Sequence, residues 1–524
     1  MTRHELRCSN INKTLITITE EMPEELKLAR AGIIIDKMND KKGIDVINEN
    51  EEVKYNFRPY EKDQSFFVVV SGENFIKESH PAAVLSAVIE KLDLKILYSK
   101  YSKVGNPAYH PKMMLKILFY AYYDGIMSAR TIWDVVIHRY DFIYLSGGDV
   151  PDFRTINSFR LKNLDILPVL FAQIVLLCKE LDMIDFKHLA IDGEKIQANA
   201  SYRNSKDLKG IEKEYDKIKE GIRKLLEKEI NEYFTKEIKD KRVNTLTKKI
   251  EKLEEYKNIL ENMEDKTKRI NIVDSDSAVM KHKDGQSLPG YNHQSARDGK
   301  LGVVTAARTT QNGDIPADLI PIVDQSIDNT LNRHENIIAD CGFSSYEVLE
   351  ELEKREEEFY IPDKRFEASK KDEEDKNKYS QEDFKRNENN EIICPNGLRM
   401  KEKQIINNDE ENTIVVYEGT GCDNCPKKNK CTKGEKRTIN IDSRIELRDK
   451  MREKLKTDKG REIYIKRQGL IEPMHGDDQK NKGWIQHHLR HYHKAKGEFL
   501  LMKIAVNLGL IIKHRASNVL ALSH

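Results

Sequence analysis

Three carboxylates stand out by their setting. Asp192 closes the apolar run Leu189-Ala190-Ile191, Asp340 closes another in NIIADCG, and Glu472 lies in YIKRQGLIEP, a stretch of helical character. An acid at the end of a strand projects from the sheet edge, where loops leave room for a ligand. Two Asp and one Glu are hard oxygen donors, suited to Mg²⁺ or Mn²⁺ rather than to zinc. A pair of such cations about 3.5–4 Å apart drives in-line phosphoryl displacement, one activating the attacking oxygen and the other stabilising the leaving oxygen. Singly, each acid says little in a chain with 88 Asp and Glu, where a strand-end Asp is more often a cap or turn residue.

A second set is sulfur-based. Cys422-x2-Cys425-x5-Cys431, with Cys394 upstream, has the spacing of a four-thiolate structural zinc site, the alternative being reduced thiols in a loop. Cys8, Cys178 and Cys341 read as structural. A third set is basic. Residues 461–524 carry 11 Lys and Arg against 5 Asp and Glu, together with 7 of the 15 His. With Trp484 and Tyr492 beside HHLRHYH (487–493), this end suits contact with a phosphate backbone, or is a solvated helix face. His487 and His491 stand at i, i+4, but no zinc-enzyme motif surrounds them.

The elements that must position these groups follow from pattern. Pro111 starts a helix that Gly125 stops, Ser128 caps a second running towards Arg139, and Asp152 caps a third bearing Arg154, Arg160 and Lys162. Three short helices with exposed Arg and Lys suit a DNA reader of helix-turn-helix type, or an ordinary bundle. Strands are expected at 66–70, 188–196, 302–309, 336–340 and 358–362, with a helix at 345–354. Between Arg203 and Arg269 about half the residues are charged. Leu208, Ile211, Tyr215, Ile218, Ile222 and Leu225 form one heptad seam, and Leu246, Ile250, Leu253 and Leu260 a weaker one. This predicts an antiparallel helical hairpin broken near Asp240–Asn244. Residues 363–390 read as a polar loop, and 443–513 as a helical end.

Composition bounds the rest. The 524 residues are too many for one compact domain. Lys+Arg 89 against Asp+Glu 88 leave a net charge of +1, so any polyanion site is a local patch. Seven cysteines, few and odd in number, point to a reducing compartment. The start MTRHELRCSN has no apolar signal core, and the longest apolar stretch, Ile166 to Cys178, falls short of a membrane span. A multidomain cytoplasmic protein is expected.

Seven blocks in this order resemble the bacterial insertion-sequence transposases of the DDE superfamily. They are GNPAYHPKMMLKILFYAYYDGIMSAR (105–130), VPDFRTINSFR (150–160), LAIDGEKIQANAS (189–201), LPGYNHQSARD (288–298), IIADCGFSSYEVLEEL (337–352), FYIP (359–362) and YIKRQGLIEPMHGDDQKNKGW (464–484). With their linkers they cover roughly residues 57–512. The resemblance implies an α/β RNase H-like catalytic core, a mixed sheet flanked by helices, with an all-α N-terminal region and helical and cysteine-bearing insertions. It implies Asp192, Asp340 and Glu472 as the acids holding two Mg²⁺ or Mn²⁺. It also implies Tyr464, Arg467 and Lys480 beside the DNA, where Lys480 stands eight residues after Glu472 instead of seven and His475 replaces the usual Phe.

The division expected is 1–80, a helical DNA-binding part 81–185, a catalytic core 186–362 interrupted at 203–270, a linker and cysteine cluster 363–445, and 446–524 carrying Glu472. Arg130, Arg154 and Arg160 are expected on DNA, and Cys394, Cys422, Cys425 and Cys431 on zinc. The activity implied is cleavage at transposon ends and strand transfer into target DNA by a homodimer acting on terminal inverted repeats. The rivals are a non-catalytic DNA-binding relative and a plain RNase H-like nuclease.

Overall fold

The computed structural model describes residues 44–48 and 51–57, and residues 76–522 except 103–106, 231–232, 264, 266–267, 283, 312–315, 365, 367–378, 380, 388–390, 408–411 and 477–481. Two compact units divide at Lys77. In the first, β1 (Ile44–Asn48) and β2 (Glu51–Phe57) pair antiparallel. The strand expected at 66–70 lies outside the described residues.

The second unit opens on helices α1 (Pro81–Glu90), α2 (Lys95–Ser99), α3 (Pro111–Tyr123), α4 (Ala129–His138), α5 (Tyr140–Ser146), α6 (Phe153–Lys162) and α7 (Leu167–Glu180). Pro111 sits in the first turn of α3, where its missing N–H costs nothing, and the His110 ring accepts from the Lys112 N–H. Asp152 caps α6 by accepting from the Thr155 N–H at 2.7 Å. Gly125 ends the α3 segment at φ +74°, and a Cβ there would meet the Lys482 backbone at 3.2 Å. Ser128 stands at the N-cap of α4 but makes no side-chain cap bond.

Next come β3 (His188–Gln197), β4 (Ser205–Lys206), α8 (Leu208–Glu227), α9 (Lys236–Asn262), β5 (Ile270–Asn271), β6 (Ala278–Lys281), β7 (Ser287–Asp298), β8 (Val304–Thr310), α10 (Leu319–Thr330), β9 (Asn336–Ile338), α11 (Tyr346–Leu352) and β10 (Glu358–Tyr360). One mixed sheet runs β10-β9-β3-β7, and both β6 and β8 pair with β7. The pairs β3–β9 and β9–β10 are parallel, and the others are antiparallel. Leu189 and Ile191 pack from one face onto Leu319, Ile322, Val323, Val348 and Leu349 of α10 and α11. Each such buried side chain contributes about 1.5–3 kcal/mol.

The hairpin forms, but its break differs from the expectation. The helices are α8 and α9, so the turn falls between 228 and 235, and Asp240–Asn244 is helical. Thr235 is the reason: its hydroxyl accepts from the Ile238 N–H and starts α9 earlier. Ile211, Leu253, Tyr256 and Leu260 close the base of the hairpin, whereas Leu226, Ile230 and Tyr233 near its tip are exposed.

The cysteine-bearing segment holds β11 (Lys385–Arg386), β12 (Ile392–Ile393), β13 (Lys401–Asn407), β14 (Thr413–Glu418), α12 (Lys428–Cys431) and β15 (Thr438–Asp442). The last three strands form an antiparallel sheet absent from the sequence expectation. Helices α13 (Ile445–Lys456), α14 (Asp458–Gly476) and α15 (Tyr492–Leu522) close the chain. Leu501, Ile504, Ala505 and Leu508 of α15 share one core with Leu85, Leu115, Phe119 and Phe171 of the N-terminal helices. No single described helix is long and apolar enough to cross a membrane.

A candidate carboxylate active site

Sheet register brings the two aspartates together. β3 and β9 pair His188↔Asn336, Leu189↔Ile337 and Ala190↔Ile338, a constant offset of 336 − 188 = 148. Asp192 and Asp340 differ by the same 148, so Asp340 follows the last β9 pair by two residues as Asp192 follows its partner on β3, which brings the two acids to the same level of the sheet. There β9 has ended and the Asp340 carboxylate caps the turn 341–343, accepting from the Gly342 N–H at 2.9 Å. β3 does not end at Asp192, as its sequence suggests. Its other edge stays paired with β7 through Gln197, with Asp192 opposite Ser295.

Helix α14 lies over β3, β9 and β10. Ile463 packs with Ile338, Tyr360 and Leu455, and Tyr464 joins the same cluster. Arg297 Nη1 donates to the Leu470 carbonyl at 2.7 Å and ties the helix to β7. One turn on from Ile463, Arg467 reaches between the acids. Its Nη2 lies 3.1 Å from Asp192 Oδ1 and 3.7 Å from Asp340 Oδ2. Burial alone would lower its pKa, but the charges of Asp192, Tyr464 and Asp340 outweigh this and raise it. Glu472 lies on the same helix five residues beyond Arg467, about 7.5 Å along the axis and about 140° round it. Its side chain, like all of Lys480, lies outside the described residues.

The helical region presents a second charged feature. Arg154, Ser158 and Lys162 are exposed at i, i+4 and i+8 on α6. This stripe is a ridge between two open grooves, one walled by Lys100, Tyr109 and Asn163, the other by Ser128, Arg130 and Asn157. The guanidinium carbons of Arg130 and Arg154 lie 5.1 and 5.6 Å from the Phe153 ring centroid, an arrangement that holds both cations at the surface. Arg160 does not share this exposure. It is buried, donating to Tyr122 Oη, the Met127 carbonyl and Asn157 Oδ1 at 3.1, 2.8 and 2.6 Å. The expected DNA contact at Arg160 is therefore corrected to a structural one: the polar groups it satisfies would otherwise be buried unpaired.

HHLRHYH is likewise not one solvated face. His487 is buried; its Nδ1 lies 2.9 Å from Glu498 Oε2 and its Nε2 lies 2.8 Å from His293 Nε2. Glu498 also accepts from the backbone N–H groups of His488 and Leu489. Burial would raise the Glu498 carboxyl, but His487 and His488 hold it well below the usual range. Burial drives His293 far down, so that ring is neutral. Lys503, fully buried in α15, donates to buried Glu194 at 2.9 Å. Sequence reading missed this network. Its one signal was Lys503 inside the apolar run FLLMKIAV, since a charge there demands a partner.

The four cysteines flank the small sheet. Cys394 opens a tight turn, its N–H donating to the Leu398 carbonyl and its carbonyl accepting from the Gly397 N–H. Cys422, Cys425 and Lys428 follow one another in similar bonded turns. Burial raises the Cys431 thiol pKa, and Cys422, Cys394 and Cys425 are near enough to add to the rise. Among the described residues, no three His, Cys, Asp or Glu side chains are grouped as a metal site requires.

Comparison with known proteins reaches two segments of the chain by family model. Residues 393–512 match the family model of a transposase DDE domain, and residues 70–162 match a transposase domain model known as DUF772. No curated protein matches the chain. Among solved structures it is similar to the piggyBac transposase in a synaptic complex with hairpin DNA, at 11% identity and TM-score 0.32 over 84% of this chain and 76% of that one. These two segment matches support a transposase of the DDE type, an enzyme that cleaves DNA and transfers strands. More particularly, they support an insertion-sequence DDE transposase.

Proposed function

We propose that Asp192, Asp340 and Glu472 are the catalytic acids, holding two Mg²⁺ or Mn²⁺ where β9 ends beside β3. The observation that carries this is the shared 148-residue register, which sets two carboxylates side by side with a cation, the Arg467 guanidinium, against both. A cradle that accepts one cation between hard oxygen donors suits a divalent ion. When bound, the ions supply charge stabilisation for an in-line attack at phosphorus. The order β8-β7-β3-β9-β10, antiparallel on one side of β3 and parallel on the other, supports the RNase H-like reading of this core.

The protein's own groups do the remaining work. The acids fix where the ions sit. Arg467 and Tyr464 stand beside the scissile strand, with Lys480 expected there too. Arg130 and Arg154, with Lys162 on the same α6 ridge, bind the phosphate backbone of the terminal inverted repeats. The 3′-hydroxyl freed by hydrolysis at the element end then attacks a target phosphodiester, forming a new P–O bond as the target's 3′-oxygen leaves and takes up a proton, in an assembly read as a homodimer in the bacterial cytoplasm. Cys394, Cys422, Cys425 and Cys431 are read as a structural Zn²⁺ site on their sequence spacing alone, since here they are not gathered as a metal site requires. A labelled element end incubated with plasmid and Mg²⁺ tests the activity: end joined to plasmid supports a transposase, and nicking without joining supports a plain nuclease instead.

A further inference from the structure

Arg467 is placed for two partners and satisfied by one. Its Nη2 lies 3.1 Å from Asp192 and 3.7 Å from Asp340, while its Nε is buried without a hydrogen-bond partner. A guanidinium presents a planar fork, and the Nε edge is one of the edges that takes a phosphate or carboxylate in two parallel bonds. An orphan Nε is not peculiar to Arg467, since Arg160 and Arg308 also have one; what sets Arg467 apart is that its guanidinium also stands against two carboxylates, so an oxygen anion at the free edge would complete its fork. On the other side, two carboxylates held side by side by sheet register repel unless a cation stands between them. Arg467 supplies that cation permanently, because guanidinium does not lose its proton in proteins.

From this geometry we infer that Arg467 is an interlock: a resident counter-cation that opposes metal loading at Asp192 and Asp340 until a DNA phosphate draws the fork away. The inference rests on reading this pair as the metal site. A divalent ion and a guanidinium cannot share the same two carboxylate oxygens without strong like-charge repulsion. Rotation of one side chain toward phosphate removes the competitor and satisfies Nε in the same motion. Coupling of this kind is reciprocal, so DNA tightens metal binding and metal tightens DNA binding. The consequence is a site that is weakly charged with metal in free protein and fully charged only on its substrate, which suppresses hydrolysis away from DNA.

The test is Mn²⁺ titration of the full-length protein, by calorimetry or by paramagnetic resonance of free Mn²⁺. It is run with and without a duplex carrying the element's end, after subtracting Mn²⁺ taken up by the duplex alone. Wild type is expected to bind Mn²⁺ about fivefold or more tightly on the duplex. Arg467→Gln is expected to bind it that tightly without DNA, and the duplex should then add nothing. Arg467→Lys, which keeps the charge, should stay close to the DNA-free wild type. Wild-type affinity unchanged by DNA overturns the inference without recourse to any variant, as does Arg467→Gln binding Mn²⁺ no tighter than wild type. A different result separates the underlying reading: Asp192→Asn/Asp340→Asn that still binds Mn²⁺ like wild type would show that the pair is not the metal site.

Discussion

At the scale of single residues, the structure separates charges that face solvent from charges that hold the fold. Arg154 and Arg160 lie six positions apart on one helix, yet one is exposed and the other buried in three hydrogen bonds. Arg160→Ala strands those partners and should lower stability by about 1–3 kcal/mol in urea denaturation. Glu472→Gln removes a proposed metal ligand and should reduce Mg²⁺-dependent cleavage about a thousandfold or more while leaving end binding intact. Cleavage at near wild-type rate would identify another acid. Glu498 is not that acid, because its carboxylate is buried and saturated by His487, His488 and Leu489.

The buried network also fixes a pH dependence. His293 is held neutral, with a folded pKa far below its unfolded value of about 6.5. Its contribution is therefore complete above about pH 6.5 and is lost as pH falls below that. Glu498 is depressed too, so its contribution is complete above an unfolded pKa of about 4.3 and declines on further acidification. Both signs agree: thermal stability should fall from pH 7 to pH 5, and His293→Gln should flatten that slope. A wild-type melting temperature that rises on acidification across this window would contradict the assignment.

At the scale of elements, the legible features were those written in local chemistry. Pro111, Asp152 and Gly125 mark helix ends that the structure reproduces, and the apolar runs before Asp192 and Asp340 are strands. β7 was not legible, because Asn292, His293, Gln294 and Ser295 are polar and carry no apolar alternation, so no strand was expected there, although all four are buried. Such a strand is stable only through distant partners, among them Thr309, Asp318 and His487. The pairing of the two aspartates was inferred from family resemblance, and the structure adds its physical basis in the sheet register. On α6, Arg154→Ala and Lys162→Ala should each weaken DNA binding across sequences and reduce the salt slope of log affinity by about one. Unchanged slopes would remove the ridge from the DNA interface.

At the scale of the whole molecule, the sheet with its two acids is not an isolated domain. α15 packs its apolar residues against the N-terminal helices and sends Lys503 to Glu194, two residues from Asp192 on the same strand. The region that carries the Arg154–Lys162 ridge, proposed to meet DNA, and the strand that carries Asp192 thus share one packed helix. The cysteine segment has its own small core of Phe384, Ile392, Met400, Ile439 and Ile441, which a bound zinc would reinforce. Elemental analysis of reduced protein should find about one zinc per chain, absent after Cys422→Ser/Cys425→Ser. The central claim is that Asp192 and Asp340 together make the cutting site. Its most direct measurement is Mg²⁺-dependent nicking of DNA bearing the element's ends by Asp340→Asn, with end binding followed in parallel. Nicking is expected to be abolished and binding retained within about twofold; an Asp340→Asn protein that binds and still nicks like wild type would show that the pair is not the cutting site.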